Sequence, residues 1–208
     1  EPHPPHTGPY NDMYDPASIP TGESFMKPPD KNSARLSRVM GAYYLESEDY
    51  GCDMSTAEGW KQLKARYWGN VTLVDRALVK ILAALEESGQ ADNTIVVLTS
   101  DHGEMMGDHG ILGKTVMYEE SIKVPMVMRV PWLNQDQKNV PGNFSHIHIV
   151  PTLLSLMGQP IPENIPGRDI TPVLEGGDSL ENEDVFIEWN GSDGHPIPGE
   201  AEVNPQMS

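Results

Sequence analysis

"TIVVLTSDHGEMMGDHGILGK", residues 94–114, decides how this chain is read. It opens as a continuous apolar run and passes directly into a turn holding two Asp, two His, a Glu, four Gly and a Lys. A short apolar run bounded by turn residues suits a strand buried on both faces of a parallel sheet. A Gly-rich polar turn at the carboxyl end of such a strand lies where open α/β sheets bind ligands.

The residues on either side support the same grammar. Residues 60–89, "WKQLKARYWGNVTLVDRALVKILAALEESG", carry Val74, Leu78, Ile81 and Leu85 at i, i+4, i+7 and i+11. Leu73, Ala77 and Leu82 widen that stripe, and Gly89 is a stop signal, so the spacing predicts a long amphipathic helix. "KVPMVMRVP" (123–131) reads as a second buried strand and "EDVFIEWNG" (183–191) as a third. "HIVPTLLSLMG" (148–158) reads as a helix with Pro151 near its start and Gly158 at its end. Residues 35–47 suit a short helix that "EDYGCDMSTAEG" breaks, and the Pro-rich residues 1–35 suit a loop. The expected architecture is α/β: a mixed, mostly parallel sheet flanked by helices, and incomplete. Residues 1–190 are expected to form one partial domain, with 191–208 as an irregular tail.

Composition narrows the partners. The 208 residues carry a formal net charge of −17, which makes nucleic acid and anionic membrane surfaces poor partners. No stretch approaches the roughly 20 apolar residues of a membrane span, and no signal peptide is legible. The chain starts Glu1-Pro2-His3, the expected start of a processed chain or a fragment. Cys52 is the single cysteine, so neither a disulfide framework nor a cysteine zinc site can be built within it. Asn70, Asn143 and Asn190 each begin an N-glycosylation triplet. An anion site in so acidic a protein must rest on a few converging cations rather than on a general basic field.

Asp101 and His102 are the first residues that can supply such chemistry. An adjacent carboxylate and imidazole ligate one divalent cation when the backbone kinks between them, and Gly103 permits the kink. Ca²⁺ takes six to eight mostly oxygen ligands, and an imidazole shifts the preference towards Mn²⁺. Lys114 follows thirteen residues later, and "GDHG" between them permits a second reversal that could return the ammonium over a bound oxyanion. Taken alone, an Asp-His-Gly after a strand is equally an ordinary turn or helix cap, and Lys114 an ordinary solvated charge.

Together these segments resemble the sulfatase family of the alkaline phosphatase superfamily. "VVLTSDHGEMMGDHGILGKTVMYEESIKVPMVMR" is similar to that family's metal-binding block, "PHPPHTGPYNDMYDP" to its Pro-His-x-Pro segment, and "IVPTLLSLMGQPIP" to its Pro-Thr-Leu segment. The resemblance implies that Asp101 and His102 are metal ligands and that Lys114 contacts the sulfate. It implies that His3 binds or protonates the leaving oxygen, and that His109 supports the site from behind. His6 has no counterpart. Tyr67 and Asp75 fall at packing positions, and His148 stands where the family usually carries Asp. The family's nucleophile, a formylglycine made from Cys or Ser in Cys/Ser-x-Pro/Ala-x-Arg, has no match. Cys52 lacks the Pro and Arg, and no Asp-Asp pair precedes the long helix.

The chain is therefore expected to be the middle and carboxyl-terminal part of a sulfatase catalytic domain, inactive by itself. The implied reaction is hydrolysis of a sulfate ester to an alcohol and inorganic sulfate. One divalent cation is implied, Ca²⁺ with Mn²⁺ as the alternative, and a small sulfate ester, carbohydrate by family habit, as substrate. Family habit also implies a periplasmic, lysosomal or secreted location. The alternatives are a phosphonate or phosphodiester hydrolase of the same superfamily, and a non-catalytic metal- or anion-binding protein.

Overall fold

A computed structural model describes residues 9–133 and 136–188. His3, His6 and the expected tail from residue 191 lie outside them. The elements run in chain order as α1 (Arg35–Tyr44), β1 (Glu48–Asp49), β2 (Cys52–Asp53), α2 (Ala57–Glu87), β3 (Val96–Thr99), α3 (Glu119–Ile122), β4 (Met126–Arg129), α4 (Ile149–Leu156) and α5 (Thr171–Leu174). Two compact units partition the chain. Of the described residues, one holds 9–88 together with Leu98–Val127; the other holds Gly89–Val97 and the residues from 128 to 188.

In the first unit, β1 and β2 pair antiparallel around Tyr50 and Gly51, which have φ of 50° and 70°. Two consecutive positive φ angles are the signature of the tight turn that matches strand twist in a two-residue hairpin. The sequence reading took this stretch only as a helix breaker. Thr56 then caps α2: its side-chain oxygen accepts the Gly59 amide at 3.1 Å, and its backbone is extended. Trp60 and Leu63, both fully buried, pack with Cys52, Met54, Met106 and Leu112. The Trp60 indole donates to the Met54 carbonyl at 2.7 Å, so the largest core side chain leaves no polar atom unpaired. A neighbouring cluster joins Met40, Met105, Ile111 and Val116.

The expected stripe on α2 is present but only partly covered, with Leu78 and Leu85 half-buried. Leu78 stands about five helical turns above Trp60, and Ile81 about five above Leu63, so all four share one face. That face is buried at Trp60 and Leu63, yet Val74 is 63% exposed and Ile81 64%. The covering partner of the helix beyond Gly69 is the loop at its side. Tyr14 meets Thr72 through their hydroxyls at 2.7 Å and stands edge-on to Trp68, and Arg76 lies over the Tyr10 ring.

The strands also depart from expectation. β3 and β4 form a two-stranded sheet, and neither is buried on both faces: Leu98 is 41% exposed and Val127 60%. Burial in β4 alternates, as in a half-covered strand. Residues 183–188 are in no strand, and Phe186 is 94% exposed. A continuous apolar run requires cover on both faces, and these residues do not supply it to one another. The described residues therefore show a two-stranded sheet, and not the extent of the larger sheet expected.

In the second unit, Ile170, Val173 and Leu180 form a small core flanked by Phe144 and Leu174. Thr152, fully buried, bridges it to α4, donating to the His148 carbonyl at 2.6 Å and accepting the Ile170 amide at 3.1 Å. His148 precedes α4 without capping it. Its Nδ1 instead accepts the Arg168 amide at 3.0 Å, while the Arg168 guanidinium pairs with Asp178 and Glu183. An imidazole in place of a carboxylate thus exchanges a local cap for a hold on a segment twenty residues away.

Two outcomes follow. Leu63→Ala should lower the unfolding free energy in urea by about 2–5 kcal/mol, whereas Val74→Ala, on the same helix face, should change it by no more than about 0.5 kcal/mol. A similar loss at both positions would mean that the upper stripe is covered after all. The second concerns pH. Burial first, and then the positive Arg168, hold the His148 imidazole below its ordinary pKa against the opposing pull of Glu183. The unfolded chain then binds the proton more readily, so stability is present above the ordinary histidine range and is lost as pH falls through the folded value. Thermal unfolding followed from pH 7.5 downward should show this loss, and His148→Asn should flatten it. An unchanged slope in that variant would remove His148 as its source.

Candidate metal and anion site

Immediately after β3 the backbone turns at Ser100, and the turn is held by its own side chains. The Ser100 hydroxyl donates to the His102 carbonyl at 2.9 Å, with Asp101 Oδ1 at 3.3 Å. Asp101 Oδ1 accepts the His102 amide at 3.0 Å. Gly103 is needed for approach rather than for an unusual φ. A Cβ there would stand 2.0 Å from the Glu120 carbonyl oxygen, and the Gly103 amide donates to the Ser121 carbonyl at 2.7 Å. The kink expected at Gly103 is thus a docking of the turn against the start of α3.

This geometry brings Asp101 and His102 together. His102 Nδ1 lies 2.8 Å from the Gly103 carbonyl oxygen, which can only accept, so Nδ1 carries the proton. In the neutral imidazole Nε2 then keeps its lone pair, 3.4 Å from Asp101 Oδ2. Two lone-pair donors facing each other across that gap attract a cation. An imidazole anchored through its other nitrogen to a backbone carbonyl is the arrangement metal-binding histidines adopt. Asp101 is exposed, and its carboxyl sits below the usual range: desolvation works against this and is outweighed by the His102 amide, the His102 charge and the Ser100 hydroxyl. The pair therefore fits a divalent cation as two donors. Among the described residues no group of three or more His, Cys, Asp and Glu forms a fuller set.

The loop that follows closes on itself just before Lys114. Glu104 Oε1 accepts the Gly113 amide at 2.5 Å, and the Met105 amide donates to the Gly113 carbonyl at 2.8 Å. The backbone just before Lys114 thus lies against the backbone four residues beyond Asp101. Between these ends the loop is folded on itself, with Met105, Met106, Ile111 and Leu112 all buried. Gly107, at φ 92°, lies so close to Trp60 and Phe25 that a Cβ would meet each ring at 2.9 Å. Asp108 accepts from the Ser24 hydroxyl at 2.6 Å and pairs with Lys64 at 3.6 Å, both side chains largely buried.

His109 stands at the loop tip with φ 56°. Its ring is stacked on Tyr118 at 4.0 Å, and its amide donates to the Ser24 carbonyl. It supports the loop rather than touching Asp101 or His102 through any of these contacts. Sequence reasoning passed over Glu104 and gave Tyr67 only a packing role. Tyr67 does pack against the Trp60 cluster, but its phenol is also pushed above its ordinary value by burial and then by the negative charges of Glu104 and Asp101. Its electrostatic reach to two acids of the turn is not visible in spacing along the chain.

Comparison with known proteins gives this arrangement its setting. The Sulfatase family model matches residues 1–159. The multifunctional alkaline phosphatase superfamily protein PehA of Trinickia caryophylli is 34% identical over 187 residues, covering 85% of this chain and 36% of that protein. The chain spans about a third of the length of that relative. Among solved structures, the phosphonate monoester hydrolase of Silicibacter pomeroyi superposes with a TM-score of 0.70 at 31% identity, covering 88% of this chain and 37% of the other. A second, solved in complex with its substrate D-glucosamine-2-N,6-O-disulfate, gives 0.58 at 29% identity, covering 65% and 28%. With the family model matched along most of its length, the chain belongs to the sulfatase family.

Proposed function

We propose that this chain supplies the metal-side half of a sulfatase active site, in an enzyme that hydrolyses a sulfate ester to an alcohol and inorganic sulfate. The observation that carries the reading is the facing pair Asp101 Oδ2 and His102 Nε2, at the foot of a loop that closes just before Lys114. Asp101 and His102 hold a divalent cation, Ca²⁺ or Mn²⁺, which when bound would draw charge from the sulfate oxygens. Lys114 neutralises the anion with a positioned ammonium, and such a donor is typically worth about 10²–10³ in rate. His3, outside the described residues, takes the leaving oxygen by family resemblance and can donate its proton there.

No Cys/Ser-x-Pro/Ala-x-Arg segment occurs in the sequence, so a formylglycine nucleophile comes from residues other than these. The reading also includes a mostly parallel sheet in the complete domain, in which β3 and β4 would gain neighbours. Sulfated carbohydrate is the substrate class we favour, since a structurally similar protein holds a disulfated glucosamine as its substrate. Among the described residues no helix is long and apolar enough to cross a membrane. A phosphonate monoester is the second reading, favoured by the close superposition on a hydrolase of that class.

Two measurements test this. Ca²⁺ or Mn²⁺ should raise the melting temperature of the chain, and Asp101→Asn should remove the rise; no rise in the unsubstituted chain would sink the metal assignment. In the enzyme that carries this chain with its nucleophile, aryl and sugar sulfates should be turned over faster than phosphonate monoesters. Lys114→Ala should lower kcat by about 10²–10³. Faster phosphonate turnover would hand the site to the second reading.

A further inference from the structure

Lys114 stands between two residues with unusual backbone. Gly113 has φ 85° and Thr115 has φ 80°. For a β-branched residue such an angle is a genuine outlier, and it persists only where the surroundings over-determine it. The surroundings here are visible on both sides. After Thr115, Val116 is buried among Met40, Met105 and Ile111, and the Thr115 hydroxyl points at Met40 Sδ, 3.7 Å away. Before Lys114, the Gly113 amide is held by the Glu104 carboxylate and the Gly113 carbonyl by the Met105 amide.

Glu104 lies three residues from Asp101, and its acidity would suggest another metal ligand. Its geometry gives it another task, because Oε1 accepts the Gly113 amide across the mouth of the loop. We propose that Glu104 is a positioning residue: its carboxylate fixes the Gly113 backbone and so sets where Lys114 stands relative to Asp101 and His102. Thr115, held at positive φ by the burial of Val116, secures the other side. The inference rests on the reading of Lys114 as the anion-binding cation.

What matters in this role is reach, not charge. Glu104→Gln keeps a carbonyl oxygen at the same distance along the side chain, whereas Glu104→Asp keeps the charge but falls one methylene short. In the isotope-labelled 208-residue chain, amide exchange at Gly113 and Lys114 should quicken at least about tenfold in the Asp variant and change little in the Gln variant. Titration with inorganic sulfate, followed at the Lys114 ammonium, should show affinity roughly tenfold weaker for Asp and near that of the unsubstituted chain for Gln. The reverse order would overturn the proposal, since a charge or ligand role follows the carboxylate. Unchanged exchange at residues 113–115 in both variants would overturn it equally. Failure of the sulfate reading looks different: the unsubstituted chain shows no response at Lys114, while the Asp variant still loosens Gly113.

Discussion

The packing of four apolar side chains beneath a loop that must also present charge is the constraint from which the described site follows. Met105, Met106, Ile111 and Leu112 are all buried, while the polar Asp101 precedes them and Lys114 follows them. Each buried side chain of this size contributes about 1.5–3 kcal/mol, so the loop is held as firmly as a core helix. Its tip is fixed by Asp108, which takes the Ser24 hydroxyl and the Lys64 ammonium, and by Gly107, whose missing Cβ lets the backbone lie on Trp60. A loop anchored in this way can tolerate positive φ at Met106, His109 and Thr115.

The same constraint explains how a chain of net charge −17 can present a place for an anion. Lys64 is spent on structure, locked to Asp108 and lying 4.9 Å from the centre of the Phe25 ring. In the second unit Arg168 is spent likewise, on Asp178 and Glu183. Cations used to hold loops do not contribute a diffuse basic field, so under the proposed reading an anion site depends on locally converging side chains. Removing either partner of the Lys64–Asp108 pair would leave a largely buried charge unpaired, which is costly whatever the intact pair is worth.

Much of this was legible beforehand. α2, α4, β3, β4 and the short α1 were expected from periodicity, caps and breakers, and all five are present. Asp101 and His102 were paired on spacing alone, and the structure places their donor atoms face to face. What spacing could not show was which half of the Gly-rich stretch is core. Its apolar residues fall in twos, Met105–Met106 and Ile111–Leu112, a pattern with neither the period of a helix nor that of a strand. Nor could it show Glu104 reaching nine residues ahead to an amide, since a backbone partner leaves no trace in side-chain identity. The Tyr50–Gly51 hairpin was missed because its strands are two residues each, too short to alternate.

The third strand and the buried sheet failed for a different reason, which also applies to α2. Apolar pattern records a surface suited to burial and does not record what covers it. Val74 and Ile81 continue the face that buries Trp60 and Leu63, yet both are largely exposed. A helix stabilised by tertiary packing along only its first turns depends on propensity and local pairs for the rest. The exposed faces of β3 and β4 carry the same unmet demand. PehA, of whose length this chain matches 36%, has the additional residues from which such cover can be built. The uncovered apolar residues of α2, β3 and β4 therefore mark where the described residues leave burial incomplete, and periodicity alone cannot distinguish them from Trp60 and Leu63.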